Sequence, residues 1–363
     1  KALDERPGEL PPLKLDHLRH MADETGMLQH AIFTVPNYHE GYTTDDNARA
    51  LMVSTLLEEL GSGEALELAS RYLAFVWYAF NAETGRFRNF MDYQRRWLED
   101  SGSDDCHGRA LWALGTVLGR SNTPALHSMA GWLFEQALPA ILATTSPRAW
   151  AFALIGIHEY LERFGGDRKA SRVREELAGR LLALYQSQRS DQWRWYEEVL
   201  TYCNAALPHA LLMCGQSMPN KAMTEAGLES LSWLADLQRA EEAGGHFVPI
   251  GSNGFYHQGG KRARFDQQPV EAQAMVSACL EAARITGDKR WRKEARRAFE
   301  WFLGHNDLNL PIYDPMTGGC RDGLHPDRAN ENQGAESTLA FLQSLLELRL
   351  AESALQSVEA RSE

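Results

Sequence analysis

The 363-residue sequence lacks most of the features that would tie it to a membrane, a nucleic acid or a nucleotide. No apolar run approaches the ~18 residues that a membrane span needs. Basic residues are outnumbered 37 to 49 by acidic ones, and a net charge of -12 offers no footprint for a phosphate backbone or an anionic bilayer. Neutral ligands, sugars among them, remain. The cysteines (Cys106, Cys203, Cys214, Cys279 and Cys320) form no CxxC pair and no metal-finger spacing. Their odd number and scatter read as free thiols in a reducing compartment, so a cytoplasmic location is expected. GxGxxG, Walker A, GxSxG and SxxK motifs are missing, which leaves nucleotide binding and serine hydrolysis without support. HExxH is missing too, and neither a metal nor a cofactor is expected.

What is present is helical periodicity. Strand-like alternation is scarce, and the apolar-periodic segments carry helix formers such as Ala, Leu, Glu and Arg. The pattern predicts twelve helices, near residues 13–24, 44–60, 64–80, 104–119, 123–142, 147–164, 168–187, 201–215, 220–238, 268–286, 288–305 and 333–351. Every second one, starting with 44–60, is rich in Ala, Gly and Leu around its circumference, as a buried helix is. The others carry a charged face, as a half-exposed helix does. Six buried helices alternating with six amphipathic ones predict an all-α (α/α)6 toroid, an inner ring wrapped by an outer one. Its domain is expected over residues 13–351, with an N-terminal extension or linker at 1–12 and a C-terminal tail at 352–363. Connections from inner to outer helix are short and contain glycine, at Gly61, Gly119, Gly165-Gly166 and Gly215, where a left-handed C-cap is expected. Connections back to the inner ring are long (25–43, 81–103, 188–200, 239–267 and 306–332), and long loops in a compact domain usually serve function. In a toroid they gather on one face, above the N-termini of the inner helices.

Each inner helix opens on a polar cluster. In chain order these are Tyr42-Thr43-Thr44-Asp45-Asp46-Asn47, Asp104-Asp105-Cys106-His107-Gly108-Arg109, Pro147-Arg148-Ala149-Trp150, Thr201-Tyr202-Cys203-Asn204, Asp266-Gln267-Gln268-Pro269-Val270-Glu271 and Asn330-Glu331-Asn332-Gln333-Gly334-Ala335-Glu336-Ser337. Two of them echo each other, since Asp46-Asn47-Ala48-Arg49-Ala50-Leu51 resembles residues 105–111 with one residue inserted. A single Asp or Thr at such a position is accounted for by capping. Capping needs one residue per helix, and it explains neither doubled acids nor Glu271 and Glu336 a turn inside apolar helices, where an unpaired carboxylate costs several kcal/mol. A polar pocket at the toroid mouth removes that cost.

Two carboxylates facing each other across a pocket suit glycoside hydrolysis, one protonating the leaving oxygen and the other activating water or attacking the anomeric carbon. The expected catalytic pair is Asp46 or Asp105 with Glu336 or Glu271. Asp45, Asp104, Asp266, Gln268 and Glu331 are expected to bind hydroxyls, and Arg109 and Arg148 to pair the acids or a sugar hydroxyl. Sugars also present flat C–H faces to aromatic rings. Tyr42, Trp195, Tyr202 and Tyr256 are candidate platforms, with Tyr93, Trp97 and Trp193 nearby in the loops, although large rings are also buried simply for their apolar area. Among the histidines, His107 and His257 fall at predicted mouth positions. His325 is a weaker acid–base candidate, and His209 in an apolar helix reads as a core residue.

The twelve helices and these motifs resemble the six-hairpin glycosidase superfamily over essentially the whole chain. Residues 42–51, 195–207 and 332–339 resemble helical domains found alone or fused behind bacterial glycosyltransferases. In those domains the fourth motif often reads Tyr-Asp-Asn-Ala, whereas Cys203 stands here in place of the acid. The resemblance implies carbohydrate metabolism, an oligosaccharide or polysaccharide substrate and a glycosyltransferase domain or partner, with residues 7–12 suited to a linker. Two alternatives remain open. One is an epimerase of the N-acylglucosamine type, which shares the toroid and works with paired histidines, and the other is a non-catalytic glycan-binding module.

Overall fold

The computed structural model describes residues 8–242 and 245–362. Twelve α-helices account for most of them: α1 (Asp16–His20), α2 (Thr44–Glu59), α3 (Ala65–Ala79), α4 (Asp104–Arg120), α5 (Pro124–Ala137), α6 (Pro147–Arg163), α7 (Arg168–Gln188), α8 (Ala206–Ser217), α9 (Lys221–Leu237), α10 (Pro269–Thr286), α11 (Lys289–Glu300) and α12 (Ala335–Ser362). The even-numbered helices pack side by side in sequence, and α12 returns to α2, closing a ring. Each odd-numbered helix from α3 to α11 packs outside the inner helix that precedes it, while α1 lies against α12. The fold is therefore the (α/α)6 toroid that the alternation of apolar and amphipathic segments predicts. Among the described residues no helix is long and apolar enough to cross a membrane.

Local chemistry accounts for the helix starts. Thr43, Ser103 and Ser146 stand in extended conformation before α2, α4 and α6, and their hydroxyls accept the orphan N–H of the third helical residue. The caps of these inner helices are thus hydroxyls, and the acid pairs Asp45-Asp46 and Asp104-Asp105 lie inside the first turn. Outer helices α7 and α11 do use aspartate, at Asp167 and Asp288.

Several boundaries differ from expectation. The first helix is only 5 residues long, because the chain turns at Met21 and Ala22 bridges back to Met27. The segment expected as one helix over 123–142 breaks at Ala137 into a 3-10 turn, Leu138–Ala143, that contains Pro139. Helix α8 starts late because Cys203 is held in the left-handed region (φ +45°), which interrupts the helix that residues 201–205 were expected to begin. Helix α12 continues through the stretch expected as a tail, while the linker expected at 1–12 falls mostly outside the described residues.

Two of the expected glycine caps have another role. Gly119 and Gly215 lie inside α4 and α8, where a Cβ would sit 2.1 Å from the Glu159 carbonyl oxygen and 2.4 Å from the Thr224 hydroxyl. Along α4 and α6 the contact is backbone against backbone: a Cβ on Gly115 would lie 2.0 Å from the Gly156 oxygen, and one on Gly156 2.4 Å from the Leu111 oxygen. This is the tightest seam of the ring.

Short antiparallel ladders tie the long loops together over one end of the toroid. Tyr42–Thr43 pairs with Phe90–Met91, Val199–Leu200 with Tyr256–His257, and Gly323–Leu324 with Ala329–Asn330. The first two join loops of different hairpins, which fixes the rim around the inner-helix N-termini.

Candidate active site

A cavity of about 350 Å³ opens at that end of the ring. Its wall is built from the first turns of α2 and α12, the residues before α10 and three loops. Asp45, Asp46 and Arg49 come from α2, Glu336 from α12, Gln268 from the approach to α10, and Asp322 from the loop before α12. Of the expected site residues, four line this cavity: Asp45, Asp46, Gln268 and Glu336.

Arg49 holds the cluster together. Its Nη1 lies 3.0 Å from Asp45 Oδ2 and 3.0 Å from Asp46 Oδ1, and its Nη2 lies 2.9 Å from Glu336 Oε2. Helical spacing places the guanidinium over both aspartates, which stand four and three residues earlier on the same face. Glu336 reaches it from across the α2–α12 junction. The accessibility of the members differs sharply, with side-chain exposure of 6% for Asp46 and Arg49 but 47% for Glu336.

The electrostatics separate the acids. Burial drives the Asp46 carboxyl up to about 6; Arg49 opposes the shift, and the neighbouring Asp45 and Glu336 charges reinforce it. Asp45 is partly buried, yet it lies below the ordinary carboxylate range because Arg49 and Arg109 both stabilise its charge. Arg109 Nε is 2.8 Å from Asp45 Oδ1. Two adjacent carboxyls therefore titrate apart, Asp46 taking up a proton as the pH falls toward 6 while Asp45 stays ionised, an arrangement suited to dividing acid and base roles. The Thr43 hydroxyl donates to Asp46 Oδ2 at 2.6 Å and fixes its orientation.

Asp322, which the sequence reading did not select, anchors the approach to Glu336. It accepts from the Gly334 N–H at 2.8 Å and from the Ser337 hydroxyl at 2.6 Å, on either side of Glu336, and burial raises its pKa. Arg49 was missed as well, although the echo between the first two motifs already contained it. Its signal is a lone charge in a stretch from Ala48 to Leu57 that holds no other ionisable residue, one turn after two acids.

Glu271 lies outside the cavity lining. Its carboxylate accepts the N–H groups of Cys203 (2.6 Å) and Asn204 (3.3 Å) and the Asn204 amide (3.0 Å), so it secures the irregular turn before α8. Burial lifts it to about 7, against the pull of those N–H groups and of Arg148. Asp105 accepts the Ser146 hydroxyl at 2.5 Å, and burial raises its pKa. Asp104 pairs with Arg86 at 3.0 Å and accepts the Thr145 N–H; these contacts outweigh burial and lower its pKa. Both residues link α4 to the start of α6 and line no part of the cavity.

Other expected binding residues lie outside that lining. Trp195 is fully buried against Tyr196, and Tyr42 is buried with its hydroxyl donating to Asp23. His107 faces the Ala137 carbonyl at 2.9 Å in the core, where burial lowers its pKa to about 4. Arg148 pairs with Glu197 at 2.6 Å and lies 5.4 Å from the ring centre of half-buried Tyr202. Tyr256 packs edge-on against Trp193, and His257 is exposed in the ladder beside Val199. Asp266 pairs with His325 at 2.6 Å, and Glu331 with Arg321 at 2.8 Å on the surface. His209 is buried, as expected of a core residue, but it borders a separate cavity at the opposite end of the ring. Phe90 and His30 line the mouth without having been anticipated.

No family model and no curated protein matches the chain. Solved structures do match, and they define its class as the six-hairpin (α/α)6 toroid. A cellobiose 2-epimerase from Bacillus thermoamylovorans is 11% identical over 94% of this chain and 96% of its own, with a TM-score of 0.71. A D-mannose isomerase is 12% identical over 93% and 95% of the two chains, at 0.69. An α-1,6-mannanase from a Salegentibacter species, 11% identical over 93% and 97% at 0.61, was captured with α-1,6-mannotriose as an inactive variant with two consecutive aspartates replaced by asparagine. At these identities the likeness establishes the toroid fold.

Proposed function

We propose that the mouth of the toroid is the active site of a glycoside hydrolase acting on an oligosaccharide, with Asp46 as proton donor and Glu336 as the carboxylate that activates water. The observation that carries this reading is the placement of two acids of unlike environment on one guanidinium, facing a single cavity. Asp46, its pKa raised to about 6, carries its proton in a minor fraction of molecules at pH 7 and in most of them below pH 6, and delivers it to the glycosidic oxygen as that C–O bond breaks. Glu336, open to the cavity, takes a proton from the water whose oxygen bonds to the anomeric carbon. One water is consumed, one hemiacetal and one alcohol leave, and proton exchange with solvent restores both carboxyls. Asp45 stays ionised between Arg49 and Arg109 and holds the Arg49 guanidinium in place.

Consecutive aspartates occur twice here, at Asp45-Asp46 and Asp104-Asp105, as they do at the two replaced positions of the inactive mannanase variant, and of the two pairs it is Asp45-Asp46 that lines the cavity. Fold neighbours include epimerases as well as hydrolases. An epimerase of the N-acylglucosamine type needs two histidines at one sugar carbon, and among the described residues lining the cavity only His30 is a histidine. The resemblance to domains that accompany glycosyltransferases suggests that such an enzyme supplies the glycan.

The test is incubation with a panel of α- and β-linked manno- and gluco-oligosaccharides, followed by product analysis. Cleavage of at least one member is expected, with turnover reduced at least ~100-fold in Asp46→Asn and in Glu336→Gln. Absence of cleavage across the panel, together with saccharide binding unchanged in both variants, would overturn the reading.

A further inference from the structure

The polar cavity at the mouth offers partners for sugar hydroxyls, but two of the rings expected to meet flat C–H faces, Tyr42 and Trp195, are buried. The rim supplies other rings. Residues 31–36 form a tight hairpin, Ala31–Ile32 against Val35–Pro36, with Phe33-Thr34 as its two-residue tip. Phe33 stands there at φ +52°, a conformation that such turns normally give to glycine or asparagine and that strains a bulky side chain. Its ring is nevertheless 63% exposed, with Ile32 and Val35 exposed beside it. An exposed ring returns little packing energy to the fold, so the strain has no compensation there, and uncompensated strain clusters at ligand-binding positions.

The tip is also held in place. The Phe33 N–H donates to Asn332 Oδ1 at 2.8 Å, and its carbonyl accepts the Gln333 N–H at 2.8 Å. At the hairpin's base the Gln29 carbonyl accepts the Ala335 N–H at 3.0 Å. The hairpin is thereby laced to the segment that leads into Glu336, and Gln29, His30 and Gly334 along the lacing all line the cavity. A second ring, Phe90, is 42% exposed and lines the same cavity from the ladder beside Thr43. Exposed apolar surface that adjoins a polar cavity marks a binding groove rather than a scattered surface residue. A net charge of -12 disfavours an anionic membrane as its occupant.

We propose that Phe90 and Phe33 are stacking platforms for successive sugar rings of a neutral glycan chain that runs from the cavity over the rim. Phe90 meets a ring held in the cavity, and Phe33 meets a ring beyond it. The enzyme then favours linear glycans longer than a disaccharide, a preference that rests on the mouth being the saccharide site and is set outside the acid cluster.

The experiment is calorimetric titration of the full chain, carrying Glu336→Gln so that no ligand is consumed, with linear manno- and gluco-oligosaccharides from disaccharide to hexasaccharide. Affinity is expected to rise roughly tenfold from the disaccharide to the longest member of the series that binds, the scale of one well-covered aromatic face. Adding Phe33→Gly should remove most of that gain and leave disaccharide affinity within about twofold. Its melting midpoint should stay at or above the parent's, because glycine suits the turn. Phe33→Trp should keep the gain. No saccharide binding, affinity independent of chain length, or a Phe33→Gly variant that binds the longer members as its parent does would each overturn the proposal. So would loss of self-association in Phe33→Gly with glycan affinity untouched, since the hairpin would then be a contact between copies. Length-dependent binding without any cleavage by the wild type would uphold the platforms and sink the hydrolase reading alone.

Discussion

Replacing Arg49 by methionine removes the one cation shared by Asp45, Asp46 and Glu336 while keeping much of the side-chain volume. Breaking a buried ion pair by deleting one partner costs ~3–5 kcal/mol, because the remaining charge is left desolvated. The Glu336 contact adds little to this, since that side chain is 47% exposed and water can take over from the guanidinium. Asp45 keeps Arg109. The loss is therefore centred on Asp46 and falls at the lower end, about 3 kcal/mol at pH 7.5. The pH dependence is the sharper test. A carboxyl raised to about 6 in the folded state stabilises the fold when protonated, and that contribution disappears as pH rises through the folded pKa. Without Arg49 both aspartates shift upward, so the folded variant binds protons that the folded wild type does not. Its deficit must then be largest above pH 7 and shrink toward pH 4.5. Urea unfolding of both proteins at the two pH values measures this. A deficit equal at both, or larger in acid, would refute the electrostatic account. Arg49→Lys should recover only part of the loss, because one ammonium cannot reproduce the forked contact to α2 and α12.

If Asp46 must be protonated for turnover, kcat/KM should fall on the alkaline side with an apparent pKa of about 6; a rate still rising at pH 8 would exclude it as the acid. Gly156→Ala places a methyl 2.4 Å from the Leu111 oxygen and 2.5 Å from Trp112 Cα, and should cost about 3 kcal/mol or more, read as a lowered melting midpoint. A wild-type midpoint would mean that α4 and α6 pack more loosely than described. All five cysteines are buried and free, and burial raises the Cys106 and Cys320 thiols well above their ordinary value. A thiol reagent should therefore label none of them in the native protein and all five after unfolding, whereas rapid native labelling would contradict that burial.

The toroid was legible because it depends on a property that a linear pattern carries. Segments such as 104–119 are apolar all round, and those such as 168–187 are apolar on one face only. The acids at the mouth were legible as an excess over what capping needs, and Thr43 and Ser103 turned out to supply the caps. Which acids share a cavity was not legible, because it depends on where loops cross. Glu271 looks equivalent to Glu336 in sequence, yet the left-handed turn at Cys203 brings two backbone N–H groups onto it. Trp195 and His107 read as mouth residues from their position, but large rings near a helix start pack inward when neighbours such as Tyr196 and Phe87 leave room for them. Asp322 sits in a loop without periodicity, and only the fold reveals that it brackets Glu336 from both sides.

Closure of the ring between α2 and α12 has a kinetic consequence. The Arg49–Glu336 contact joins residues 287 positions apart, so the mouth cluster forms only after nearly the whole ring has assembled. Contacts of such long range pay their loop-closure entropy late, and the earlier hairpins can each pack locally before it is paid. During synthesis Asp45, Asp46 and Arg49 emerge first and wait, with Arg49 lacking its third carboxylate, until residues 335–347 arrive. The Arg49–Glu336 contact thus comes late in folding, and a nascent or truncated ring lacks the third carboxylate at its mouth.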